Sequence, residues 1–413
     1  MKIAIIGSGI SGLVAARGLH QRHAITVFEA DDRIGGHTHT VDVELDGQRY
    51  AVDTGFIVYN ERTYPNFTRL LARLGVETKP TEMSFGVSCE RTGVEWGSRG
   101  LASVFAQPRN ALRPAFHRML RDVLRFNREA RILLDTPQEK VALGDYLCGS
   151  GYSRAFVSHY ILPMGAAIWS ADPETFLRFP AASFVRFFEN HGLLTANPSV
   201  CWRVVRGGSA RYVEKLVAPF ADRIRTGCPV RAVRRQRRCV ELTAGGEIQQ
   251  FDHVILAVHS DQALRLLVDA SGLERTLLQK ISYQKNDVVL HTDASLMPRS
   301  RRAWASWNYR VADEQRARAL VTYDMNRLQG IASAQPLLVT LNGTDRIAPE
   351  RILRRFVTHH PVFDAEAMAA QKRHHEVSGV QRTHFCGAYW GYGFHEDGVK
   401  SALAVCRSLG MEV

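Results

Sequence analysis

The sequence predicts an α/β protein: a parallel sheet flanked by helices, with a second, α+β domain inserted into it. Three observations lead there. An apolar strand, Lys2 to Ile6, runs directly into Gly7-Ser8-Gly9-Ile10-Ser11-Gly12, and a second strand, Ala24 to Phe28, ends on Glu29. At 413 residues the chain exceeds the roughly 150 residues of an average domain. It is 45% hydrophobic and shows no repeat, low-complexity tract or long linker, so two domains should share a broad interface, where ligand sites favour forming.

The first elements form a Rossmann-like unit. Gly7 permits the tight strand-to-helix turn, Gly9 lets backbone approach a pyrophosphate, and Gly12 lets the helix lie close on the sheet. Ser8, Ile10 and Ser11 place backbone N–H groups at the positive end of that helix, which suits an anion. Glu29, followed by Ala30, stands where an acid accepts from adenosine ribose hydroxyls. Next comes Arg33-Ile34-Gly35-Gly36-His37-Thr38, a second glycine pair that a nicotinamide-only domain does not need.

Further along, Leu112, Phe116, Met119, Leu120, Val123, Leu124 and Ile132 recur at helical spacing. Arg109, Arg113, Arg118, Arg121, Arg125, Arg128 and Arg131 fill much of the other face, so the pattern predicts a basic amphipathic helix over 109–134. It could lie on anionic lipid headgroups or simply face solvent. The stretches Tyr160 to Trp169 and Phe176 to Phe188 are rich in aromatic and apolar residues. They read as core, or as the lining of a channel for an apolar substrate. Asp287 to Asp293 and Trp304 to Tyr309 read as strands of a second sheet.

At these residues the chain resembles the flavin amine oxidase superfamily, which also holds carotenoid desaturases and protoporphyrinogen oxidases. Arg33, Gly35 and Gly36 match its R-x-G-G stretch, and Val52-Asp53-Thr54-Gly55-Phe56 its D-x-G turn beneath the flavin. Val205-Arg206-Gly207-Gly208 is similar to its G-G turn, Cys228 to Val233 to the strand whose valine, here Val230, brackets adenine, and Phe251 to Val258 to the strand after it. Phe385-Cys386-Gly387-Ala388-Tyr389 and Gly391 to Val399 resemble the closing flavin motif.

The resemblance implies an amine oxidase or glutathione-reductase-2-like FAD fold. Segments 1–60, 203–265 and 383–413 would form the FAD-binding domain. Segments 61–202 and 266–382 would build a substrate domain of mixed or antiparallel sheet and helices. The implied FAD contacts are Gly7 to Gly12, Glu29, Ala30, Arg33, Gly35, Gly36, His37, Thr38, Thr54, Gly55, Phe56, Val230, Gly387, Asp397, Gly398 and Val399. No cysteine precedes Phe385 where some relatives tether the flavin, so FAD is expected to be non-covalent.

FAD accepts a hydride at N5, and the protein must hold the donor there and exclude water. Amine oxidases of the family place an aromatic cage residue three positions before the glycine matching Gly398; this chain has His395 there, followed by Glu396. That departure argues against amine substrates. His395 and Glu396 are the candidate base or relay, or a polar pair that holds the loop. Lys285 aligns loosely with the family's flavin-N5 lysine and reads better as a surface residue.

The net charge is +12, and only 8 of the 53 basic residues are lysine. No recognition motif accompanies this charge, so nucleic acid is not expected as a partner. Seven scattered cysteines without a C-x-x-C pair imply a reducing, cytoplasmic setting, with no disulfide framework and no metal site. The glycines of the N-terminal apolar run fit a nucleotide turn better than a signal peptide, and no run reaches the ~18 residues of a membrane span.

The GFHEDGVKSA and WASWNY stretches resemble a bacterial subgroup that occurs beside cyclopropane-fatty-acid-synthase-like lipid methyltransferases. This implies desaturation of a phospholipid acyl chain ahead of a methylating partner, at the inner face of an anionic membrane. The alternatives are an amine or polyamine oxidase that releases hydrogen peroxide, and a non-catalytic flavoprotein scaffold for the methyltransferase.

Overall fold

The computed structural model describes residues 1–135, 141–170, 172–195, 200–312 and 318–411. Its first sheet is five-stranded and wholly parallel, in the order Ile224–Arg225, Ala24–Phe28, Lys2–Ile6, His253–Leu256, Thr383–Phe385. The first strand is apolar on both faces, as a doubly covered parallel sheet requires. Ile3 and Ile5 pack under the nucleotide helix Ile10–Leu19 and the closing helix His395–Ser408. Ala4 and Ile6 face a three-stranded antiparallel sheet, Val230–Arg235, Val240–Ala244 and Glu247–Phe251.

The inserted domain is built on a seven-stranded mixed sheet. Its order is Ile352–Val362, Ser282–His291, Leu338–Leu341, Val321–Asp324, Trp307–Val311, Phe85–Cys89, Glu95–Gly97, with only the Trp307–Val311 and Phe85–Cys89 pair parallel. Helices Leu162–Trp169 and Ala181–Asn190 contribute Trp169, Phe184, Phe187 and Phe188 to one large aromatic core. Most of the aromatics singled out in the sequence are thus packed core.

Two expectations are corrected. The domain borders shift: Tyr64, Phe67 and Leu71 of segment 61–202 pack into the core of the dinucleotide-binding domain. Leu277, Leu278, Ala370 and Val377 of segment 266–382 do the same on its other face. These apolar side chains cover faces of the parallel sheet that its own three segments leave bare. The basic helix is also shorter than 109–134, spanning Pro114–Glu129 after a separate turn at Pro108–Leu112. Pro114 forces Arg113 into an extended conformation, φ −95° and ψ 112°, which separates the two. Phe116, Met119 and Phe126 anchor the helix, while Arg118, Arg121, Leu124 and Arg128 are exposed.

Candidate active site

The dinucleotide turn depends on approaches that only glycine allows. A Cβ on Gly12 would lie 2.0 Å from the Gly7 carbonyl oxygen, and one on Gly36 would lie 2.9 Å from Gly9 Cα. A Cβ on Gly9 would meet no protein atom within 4 Å, so the space above it is open. That space adjoins the first turn of the nucleotide helix, whose N–H groups have no partner within the helix. Glu29 accepts from the Ser8 hydroxyl and, at 2.9 Å, from the Ser8 N–H, placing a carboxylate beside the turn; Ala30 next to it is exposed.

The second glycine loop is tied to the first. Gly35 N–H donates to the Ser8 carbonyl at 2.9 Å, and Arg33 Nη1 donates to the Gly36 carbonyl at 2.9 Å. Arg33 therefore braces the loop. Thr54-Gly55-Phe56 runs against it: Thr54 N–H donates to the His39 carbonyl and Phe56 N–H to that of His37, both at 2.8 Å. His37 keeps an exposed surface although protein surrounds its ring, so it faces an interior hollow. On the far side of Glu29, Cys228 N–H donates to the Glu29 carbonyl and leads into buried Val230.

The closing helix brings a second N-terminus to the same place. A Cβ on Gly398 would lie 2.7 Å from Ile10 Cγ2 and 2.9 Å from Ser11 Oγ, so the positive ends of the two helices adjoin. Val399 is buried in that contact, and Gly387 N–H donates to Ser401 Oγ at 3.0 Å. Asp397 Oδ2 accepts from the Tyr392 and Phe394 N–H groups, both at 3.1 Å, and burial pushes its carboxyl up to about 6. It holds the loop that enters the helix.

The two candidate catalytic residues diverge. His395 stacks on Phe56, and its Nε2 lies 2.9 Å from Thr38 Oγ1 and 3.0 Å from the Tyr212 hydroxyl. Burial pushes this imidazole down to about 3, so it is neutral at physiological pH. Glu396 turns the other way. Its carboxylate accepts from the Asn66 N–H at 3.1 Å and the Phe67 N–H at 3.0 Å, capping the helix Pro65–Arg73. The structure gives Glu396 this capping role in place of the expected base or relay, because its oxygens are taken up by a helix N-terminus.

Ser209, Gln329, His259 and His360 have no sequence signal. Asp53 Oδ1 accepts from Ser209 N–H and Oγ, both at 2.8 Å, while Gln329 donates to Oδ2 at 3.1 Å. Burial pushes Asp53 up to about 6. His37 faces His360, ring centroids 5.4 Å apart, and His259 at 6.2 Å. Lys285 is exposed. Among the described residues, no cluster of metal-ligating side chains is present.

Residues 10–297 match the family of flavin containing amine oxidoreductases. The chain belongs to that family. Its open turn between two helix N-termini, with Glu29 alongside, fits the FAD of that family. The chain is 28% identical over 302 residues to a carotenoid phi-ring synthase of Streptomyces griseus, covering 65% of this chain and 54% of that one. It is 26% identical over 273 residues to a putative flavin-containing monoamine oxidase of Mycobacterium tuberculosis, covering 62% and 56%. The chain thus spans little more than half the length of these curated relatives.

Solved structures of the flavin amine oxidase fold cover nearly all of it. Putrescine oxidase superposes with a TM-score of 0.69 at 16% identity over 98% of both chains. A CLA-producing fatty acid isomerase of P. acnes superposes with 0.70 at 17% identity, again over 98% of both. At such identities the likeness is one of fold.

Proposed function

We propose that this flavoenzyme desaturates a fatty acyl chain of a membrane phospholipid, upstream of a lipid methyltransferase. The observation that carries the reading is an aromatic wall where the inserted domain meets the closing helix. Phe187 stacks on Phe394 at 5.2 Å, and Trp169 lies 6.3 Å from it. Phe394 directly precedes His395. An apolar chain entering there would meet these rings.

When bound, FAD would take up two hydrogens from adjacent methylenes, one as hydride and one as a proton, leaving the reduced flavin and the alkene. Gly7 to Gly12 and Gly35 to Thr38 would hold the diphosphate and ribityl chain, Glu29 the ribose, and Val230 the adenine. The neutral His395, held by Thr38 and Tyr212, would orient the reacting region and exclude water. The exposed Leu112 and Ile132 bracket the arginine-rich helix and suit the surface of an anionic bilayer.

Two relatives lend support. By name, one is an isomerase of a fatty acid and the other a synthase of a carotenoid ring. The putrescine oxidase likeness favours a second reading, an amine oxidase releasing hydrogen peroxide. An anaerobic flavin spectrum separates them. Bleaching by anionic phospholipid vesicles, with the acyl mass falling by two hydrogens, is the expected result; bleaching by putrescine alone would sink the acyl reading.

A further inference from the structure

A chain of hydrogen bonds fixes where His360 carries its proton. The Asp287 N–H donates to Asn342 Oδ1 at 3.1 Å, so the Asn342 amide nitrogen is left to donate to the Ala319 carbonyl at 3.0 Å and to Asn286 Oδ1 at 2.8 Å. Asn286, fully buried, must then present its own amide nitrogen, which lies 3.4 Å from the Gln284 carbonyl and 2.8 Å from His360 Nδ1. Backbone groups anchor the chain at both ends, so neither amide can be reversed without opposing like groups. His360 Nδ1 is therefore an acceptor, and the proton sits on Nε2. Burial and the facing imidazoles of His37, His259 and His359 keep the ring neutral.

The Nε2–H donor has no protein partner among the described residues. A second observation marks the same face. Thr358, paired with Asn286 across the sheet, carries a buried hydroxyl without a hydrogen-bond partner. Phe356 of the same strand meets His39 at 4.9 Å, and His360 meets His37, so this face closes over the Gly35–Thr38 loop of the dinucleotide-binding domain. Among the described residues no carboxylate hydrogen-bonds to His37, His259 or His360.

We propose that His360 is a positioning residue whose Nε2–H binds an acceptor oxygen of the molecule held between the two domains, selecting a carboxyl or carbonyl group over an amine. The inference rests on reading this cleft as the flavin and substrate site. A neutral imidazole whose lone pair is already used can only donate, and an ammonium group can only donate. An oxygen completes the pair. That oxygen belongs either to the acyl substrate or to the flavin ring, and the test separates the two.

The proton position is read by nitrogen-15 NMR of histidine-labelled holoenzyme, with His360→Gln assigning the signal; a proton on Nδ1 overturns the proposal. Binding is read by flavin difference spectra during titration with oleate and with oleylamine. His360→Leu is expected to weaken oleate by about tenfold or more and to leave oleylamine unchanged. His360→Gln, whose amide keeps a donor, should stay within about threefold of the parent. If the oxygen is the flavin's, His360→Leu shifts the flavin absorption band and weakens FAD binding, and His360→Gln restores both. Unchanged FAD affinity, flavin spectrum and oleate titration in a folded His360→Leu protein would overturn the proposal. Protein that never takes up flavin would instead overturn the site reading beneath it.

Discussion

The His395 imidazole lies flat on the Phe56 ring, centroids 3.6 Å apart and planes inclined by 15°. The stack joins the N-terminus of the closing helix to the Thr54-Gly55-Phe56 turn, and it keeps the imidazole out of water. With its pKa pushed down to about 3, His395 stays neutral through the physiological range. Wild type and His395→Phe should therefore give parallel profiles of kcat/KM between pH 5 and 8, with stability lower by about 1–2 kcal/mol from the lost Thr38 and Tyr212 contacts. A step near pH 6.5 that only the wild type shows would contradict this.

Glu396 supports a helix. Glu396→Gln keeps an acceptor oxygen but loses the charge that faces the N-terminus of Pro65–Arg73. The expected cost is about 1–2 kcal/mol of stability, with turnover retained to within a few-fold. Denaturant unfolding and steady-state rates check it, and loss of turnover in a fully folded variant would return Glu396 to the chemistry.

Gly9 and Gly12 separate cofactor contact from packing. Gly12→Ala puts a methyl group on the Gly7 carbonyl and should prevent a stable fold. Gly9→Ala meets no protein atom, so its flavin-free form should melt with the parent. Its FAD affinity should fall by about tenfold or more, because the methyl group occupies the phosphate's approach. Acid precipitation of the holoenzyme should release all the flavin, as expected of non-covalent binding.

Acid should unfold the protein early. His191, His291 and His384 are buried with pKa values pushed down to about 4, and His395 to about 3. In the unfolded chain each takes a proton below about 6.5, so the unfolded state binds more protons between there and about 4, and stability falls with pH. Asp53 and Asp397, raised to about 6, act in the opposite sense because the fold keeps their protons. Four imidazoles outnumber two carboxyls, and His39, His259 and His360, pushed down to about 4, 4 and 3, add to them, so stability falls as the pH drops from 6 to 4. Thermal melts across that range check the sign, and a rising midpoint on acidification would refute it.

The arginine-rich face should bind anionic vesicles in a salt-dependent way. Leu112 is 86% exposed, Ile132 66% and Leu124 62%, and Arg118 and Arg121 lie among them. Replacing both arginines with glutamate should weaken sedimentation with phosphatidylglycerol vesicles by about tenfold or more, at roughly 1 kcal/mol per charge. Binding unchanged by the substitutions or by salt would remove the membrane from the proposal.

The sequence by itself determined the dinucleotide turn, Glu29 and the second glycine loop, because each is a local device. Their glycines and acid lie within one strand-helix-strand unit, where the spacing is the geometry. The unbroken apolar run from Ile3 to Ile6 likewise read as a strand. Only the tertiary structure decided the rest. Glu396 caps a helix 330 residues away, Asp53 meets Gln329 across 276, and Asn286 sets the proton of His360 from 74 residues away. A buried polar group must find a partner, and which partner it finds depends on how distant segments pack.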